Sequence, residues 1–250
     1  VPIWGPGREA KVTVATPDGY GSDIYTEADG DPDTLARLGP LRPLAGSWEG
    51  PGGADDHPVA EGTETNDFVE RYDLEPIDRQ TNGPQIFYGL RYHTHIVKPG
   101  EIETFHDQVG YWLWEPVTKT VVFTLAIPRG QVLLAGGTAE TEATEFEVTA
   151  ALGSPTFGIA SNPFLDRAFR TTSFRMTVTI NDDGTWSYDE EALLVLPDRA
   201  DPYRHTDRNT LTRVGPPALN PLASGRITAG TAGDAGLGIG DLRDEMRNLS

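Results

Sequence analysis

Apolar and polar residues alternate with a period of two from Leu44 to about Val214. Thr171–Ile180 shows it plainly. Thr172, Phe174, Met176, Val178 and Ile180 fall on one face, and Thr171, Ser173, Arg175, Thr177 and Thr179 on the other. Gln85–Val97, His106–Trp114, Thr120–Ile127, Gln131–Leu134 and Thr144–Ala150 are similarly rich in aromatic and β-branched residues. Asn181-Asp182-Asp183-Gly184 reads as a hairpin turn returning into Thr185–Leu196, because Asp-Gly supplies the positive φ of a tight turn. With Gly46–Gly50, Thr63–Ile77 and Arg204–Val214 these segments make about ten strands at hairpin spacing, without helical crossovers. The pattern predicts an all-β fold, an antiparallel up-and-down barrel, since closure of such a sheet removes its edges.

Elsewhere the alternation fails. Residues 1–43 read as a leader, Gly-, Pro- and Asp-punctuated up to Gly30, followed by one short helix over Asp31–Leu38. Asp31 is the expected cap, Pro32 suits the first helical position and Gly39 stops the helix. Asn162–Phe169 reads as a second short helix inside the barrel region, residues 44–214. Residues 215–236 have the Pro/Ala/Gly/Thr/Ser composition of a flexible linker, and apolar residues return only in 237–250.

Composition narrows the chemistry. None of the 250 residues is Cys, so disulfides, thiolate metal sites and a Cys nucleophile are excluded. A net charge of −18 argues against nucleic acid and anionic membrane surfaces as partners. No apolar run approaches a membrane span and no signal peptide is recognised at Val1, so the expected location is cytoplasmic.

Within a barrel, inward polar residues are the informative ones. Arg91, His93 and His95 share one face of Gln85–Val97 and Tyr88, Leu90, Tyr92 and Ile96 the other. A His-x-His pair with a third His, such as His106 on a neighbouring strand, has the donors of a metal site, although a solvated face is where polar strand residues ordinarily belong. Arg91 or Arg175, if inward, would pair a ligand carboxylate. Asp55-Asp56 and Glu190-Glu191 read as solvated turn or strand-end charges. No G-x-S-x-G elbow is present, and the glycines of Gly50–Gly53 are not followed by the Lys and helix of a phosphate loop.

Leu44-Ala45-Gly46-Ser47-Trp48-Glu49-Gly50 contains a Gly-x-Trp-x-Gly that resembles the first strand of calycin barrels. There the Trp plugs one barrel end and an Arg of the last strand lies across it, a role the resemblance gives to Arg213. Phe105-His106-Asp107-Gln108-Val109-Gly110-Tyr111-Trp112 resembles the His-x-Glu-x-Gly-Tyr strand of nitrobindins, and Ala126-Ile127-Pro128-Arg129-Gly130 resembles their Ala-His-Pro-x-Gly turn, with Ile127 in place of the His. The stretch from Leu44 to Val214 is thus similar to the nitrobindin-like heme-binding β-barrel family. The resemblance implies a ten-stranded barrel that holds heme b through one proximal His, binds nitric oxide and isomerises peroxynitrite. It makes His205 the candidate iron ligand. The family His lies five residues before a Leu and seven before the Arg. Here Leu211 and Arg213 follow His205 by six and eight, so Thr206 takes the matching frame and His205 is expected on the opposite strand face unless a bulge intervenes. The alternative within the same fold is a fatty-acid-binding-like barrel carrying a small hydrophobic ligand without heme.

The tail segment Leu237-Gly238-Ile239-Gly240-Asp241-Leu242-Arg243 resembles the cargo-loading peptides of encapsulin nanocompartments. In that resemblance Leu237, Ile239 and Leu242 fill apolar pockets of the shell protein, while Gly238 and Gly240 let the backbone approach its wall. The resemblance implies that the barrel is packaged inside an encapsulin shell.

Overall fold

The computed structural model describes residues 20–225. Its chain order is β1 (Gly46–Val59), β2 (Gly62–Pro76), β3 (Gln80–Asn82), β4 (Gln85–Val97), β5 (Thr104–Glu115), β6 (Thr120–Ile127), β7 (Gln131–Thr138), β8 (Glu145–Ala151), β9 (Ile159–Ser161), β10 (Arg170–Ile180), β11 (Trp186–Val195) and β12 (Tyr203–Gly215). Two helices, α1 (Thr34–Arg37) and α2 (Pro163–Ala168), and a 3-10 segment over Gly39–Leu44 complete it. All pairings are antiparallel. The path β2-β1-β12-β11-β10-β8-β7-β6-β5-β4 closes through β2–β4 into a ten-stranded barrel. The short β3 and β9 are the two extra strands, attached to β4 and β7. The hairpin turn forms as its sequence requires, with Gly184 at φ +83°.

Three local details depart from the sequence pattern. Asp33, not Asp31, caps α1 by accepting from the Ala36 amide, while Asp31 accepts from the Asp33 amide and pairs with Arg37. In β10 a register irregularity between Thr171 and Ser173 turns Thr171 inward, where it is buried and bonded by Gln131. β1 does not stop at Gly50. Its pairing with β2 shifts between Gly50 and Gly53 and then continues to Val59.

One end of the barrel is closed by the 39–44 segment. Leu38, Leu41 and Leu44 are fully buried there, and Leu44 carbonyl accepts from Trp48 Nε1 at 2.7 Å. Rings fill that half of the interior. Trp48 meets Trp186 edge-on, Tyr72 packs on Tyr92 and Trp186, and Phe123 lies between Tyr92, Trp112 and Phe174. Apolar burial of this kind stabilises a fold by about 25 cal/mol per Å2, and the rings pack together with a leucine- and valine-rich core. No helix among the described residues is long and apolar enough to cross a membrane.

Candidate functional site

Strand pairing sets the inward side chains in rows. On β12 the odd positions face in: Tyr203, Asn209 and Leu211 are buried, and His205 and Asp207 are half-buried between them. The register places Leu211 beside Trp186, Asn209 beside Tyr188, Asp207 beside Glu190 and His205 beside Ala192. β10 extends the rows, with Met176 beside Glu190 and Phe174 beside Ala192, and β8 adds Ala150 beside Phe174. An apolar arc of Ala150, Phe174 and Ala192 therefore leads to the His205 imidazole. The opposite-face expectation for His205 is corrected. Six and eight are even separations, so in an extended strand His205 shares the face of Leu211 and Arg213.

The bulge in β1 builds the other side. Before it Trp48 faces in; after it the parity flips, and Gly53 and Asp55 are buried. Asp55 pairs across with Asp207 on β12. Its Oδ1 lies 2.7 Å from His205 Nε2 and its Oδ2 2.5 Å from His57 Nδ1, so one carboxylate bridges two imidazoles. Asp207 Oδ2 is 3.4 Å from the same His205 Nε2. Burial pushes the Asp55 carboxyl up, but the bond and charge of His205, with Asp207 and His57, outweigh it and hold it below the usual range. Burial raises Asp207 well above that range, reinforced by the charges of Glu190 and Asp55. Glu190 is pushed up to about 7, first by burial and then by Glu70 and Asp55, against the pull of His205.

Beneath this layer Glu70 is fully buried. It accepts from Thr94 Oγ1 at 2.7 Å, Tyr188 Oη at 2.9 Å and Asn209 Nδ2 at 2.9 Å. Burial raises its pKa despite these three donors, which lower it. His106 faces the mouth from β5. Burial lowers its pKa, and it bonds Gln108, which donates to the Tyr92 hydroxyl.

The structure separates the candidate residues. His205 and His106 reach the interior. Arg91, His93 and His95 do not, because the pleat gives the inward face of β4 to Tyr88, Leu90, Tyr92, Thr94 and Ile96. Arg91 pairs with Glu75, His93 with Asp107, and His95 meets Thr104. Arg175 also points out, to Glu147 and Glu191. Asp55 and Glu190, expected as solvated charges, are interior groups instead. His57 belongs to the site as well, and its place became visible only once the bulge had turned the chain. At the other end Gly46 (φ +131°) lets Arg213 approach, and a Cβ at Gly50 would collide with Asn209. The tail candidates Leu237, Gly238, Ile239, Gly240 and Leu242 lie outside the described residues.

A comparison with curated proteins gives no match. Among solved structures, the crystal structure of Rv2717c from M. tuberculosis is similar, with a TM-score of 0.53 and 22% identity over 74% of this chain and 99% of that one. At that identity the likeness speaks for the fold. The model of the THAP4-like, heme-binding beta-barrel domain matches residues 37–213, the 3-10 segment and nearly the whole barrel. The closed ten-stranded barrel described above is therefore that of a member of the THAP4-like heme-binding β-barrel family, to which this chain belongs.

Proposed function

We propose that the barrel binds heme b at its mouth with His205 as the axial ligand, and that it handles nitric oxide and peroxynitrite. The observation that carries this is the inward turn of His205 at the end of the Ala150–Phe174–Ala192 arc, which joins an imidazole to an apolar wall. Bound there, heme would supply an iron centre that takes nitric oxide and converts peroxynitrite to nitrate. The orientation of His205 and the apolar wall support this reading. Against it, Asp55 holds Nε2 of His205 and Asp207 Oδ2 lies 3.4 Å from the same nitrogen, so ligation requires the imidazole to turn from both carboxylates. His106, kept neutral by burial and oriented by Gln108, presents a fixed imidazole to the same mouth. The ring-filled half of the barrel and the outward Arg91 and Arg175 favour this over a fatty-acid-like ligand lying along the axis.

Hemin titration of the full chain tests the reading. A saturable Soret shift, one equivalent per chain and lost in His205→Ala, is expected. No shift, or an unchanged shift in the variant, would sink it.

We further propose that Leu237–Arg243 directs the barrel into an encapsulin shell. Support comes from the sequence, a Leu-Gly-Ile-Gly-x-Leu-Arg segment behind a Gly/Ala-rich linker. On co-expression with a shell protein, a chain ending at Gly236 should no longer co-purify with shells. Undiminished co-purification would remove the tail from consideration.

A further inference from the structure

We infer that Asp55, His205 and Asp207 form a site for one divalent first-row transition-metal ion, separate in chemistry from a heme site although it uses the same imidazole. Their donor atoms lie within 4.8 Å of one another, the one group of this kind among the described residues. His205 Nε2 is 2.7 Å from Asp55 Oδ1 and 3.4 Å from Asp207 Oδ2. Those separations bracket the ~3.3 Å edge of a tetrahedron with ~2.0 Å metal–ligand bonds.

The placement is rigid. Asp55 and Asp207 are cross-strand partners and His205 is the next inward residue of β12, so paired strands rather than loops hold all three donors. Behind Asp55, His57 grips the second carboxylate oxygen, the outer-shell contact that fixes a ligating carboxylate. Asp55, Asp207, Glu190 and Glu70 all face the interior, and among the described residues no Lys or Arg forms an ion pair with any of them, so no fixed Lys or Arg competes with an ion for the carboxylate oxygens.

Donor type narrows the ion. An imidazole with two carboxylates selects against the all-oxygen preference of Mg2+ and Ca2+ and suits Zn2+, Fe2+ or Co2+. Three protein ligands leave a fourth position open. That position is reachable, since the His205 and Asp207 side chains are 29% and 24% exposed while Asp55 is only 6% exposed.

The test uses the full chain, stripped of heme and treated with chelator. Zn2+ calorimetry should give one ion per chain, and Co2+ should develop the intense visible bands of a four-coordinate site. Asp207→Asn and Asp55→Asn should each weaken Zn2+ at least ten-fold, and excess Mg2+ should not compete. Absent Co2+ bands in the unaltered chain, no saturable Zn2+ uptake, competition by Mg2+, or unchanged Zn2+ affinity in both folded variants would each overturn the inference. Hemin titration of Asp207→Asn keeps the two readings distinct. A Soret shift there alongside lost Zn2+ binding supports both, whereas Zn2+ binding without any Soret shift in the unaltered chain removes heme alone.

Discussion

The Arg213 guanidinium lies 4.1 Å over the Trp48 ring, and these two residues are direct partners across β1 and β12. The same guanidinium donates to the carbonyls of Ala45 and, at 2.8 Å, Pro43. It therefore fastens the 39–44 segment over the ring that plugs this end. Trp48→Ala should cost about 3–5 kcal/mol, as for other buried aromatic truncations. Arg213→Ala should cost about 1–3 kcal/mol through the lost cation–π contact and two unmet carbonyls. Urea denaturation checks both. A loss under 0.5 kcal/mol for Arg213→Ala would show that the segment is held by its leucines alone.

Glu70 offers a sharper contrast. Glu70→Ala strands the Tyr188, Thr94 and Asn209 donors in the interior and should destabilise by about 3 kcal/mol or more. Glu70→Gln keeps a carbonyl oxygen for Tyr188 and Asn209, and the Thr94 hydroxyl can turn to accept. Its effect should stay within about 1 kcal/mol. Equal losses in thermal unfolding would contradict this account of the network.

Stability should depend on pH with an unusual sign for a carboxyl. The Glu190 pKa is raised to about 7 from the ordinary 4.5, chiefly by burial. The native state thus holds a proton that the unfolded chain releases. The resulting stabilisation is fully present below about pH 4.5 and is lost as pH rises through about 7, up to about 3 kcal/mol in all. Asp207 is raised too and pushes the same way. Unfolding free energies measured from pH 5 to 8 should fall, and Glu190→Gln should flatten the fall in part. A Glu190→Gln slope identical to that of the parent would refute the assignment.

Asp55 competes for the nitrogen that heme would need. Asp55→Asn weakens that hold on Nε2 of His205, and hemin affinity should rise several-fold in Soret titrations. A fall in affinity would mean that Asp55 orients His205 for the iron instead of withholding it.

The alternation of β4, of β10 from Phe174 onward and of the facing part of β11 made the barrel readable from sequence, because there inward apolar side chains and outward polar residues follow the pleat, which is broken only at Thr171–Ser173. The site was less readable for a physical reason. Between Trp48 and Asp55 the bulge near Pro51 and Gly52 changes which parity faces in, and nothing in the residue types announces the flip. Asp55 thus read as a surface charge. His205 was named from resemblance, yet its face followed from simple parity with Leu211. Glu70 carried no signal at all, since its three donors come from β4, β11 and β12, far away in sequence.

The ring-filled half of the barrel also gives the molecule an internal optical reporter. Trp48, Trp112, Trp114 and Trp186 are each 1% exposed or less. The fifth indole is Trp4, so in a Trp4→Phe variant every emitting group sits in the dry interior. Its fluorescence should be blue-shifted and shielded from iodide, turning red and quenchable only when the closed end opens. Because the sites proposed for metal and hemin lie at the far end, a red shift of this emission would report a barrel coming apart rather than a ligand filling the mouth.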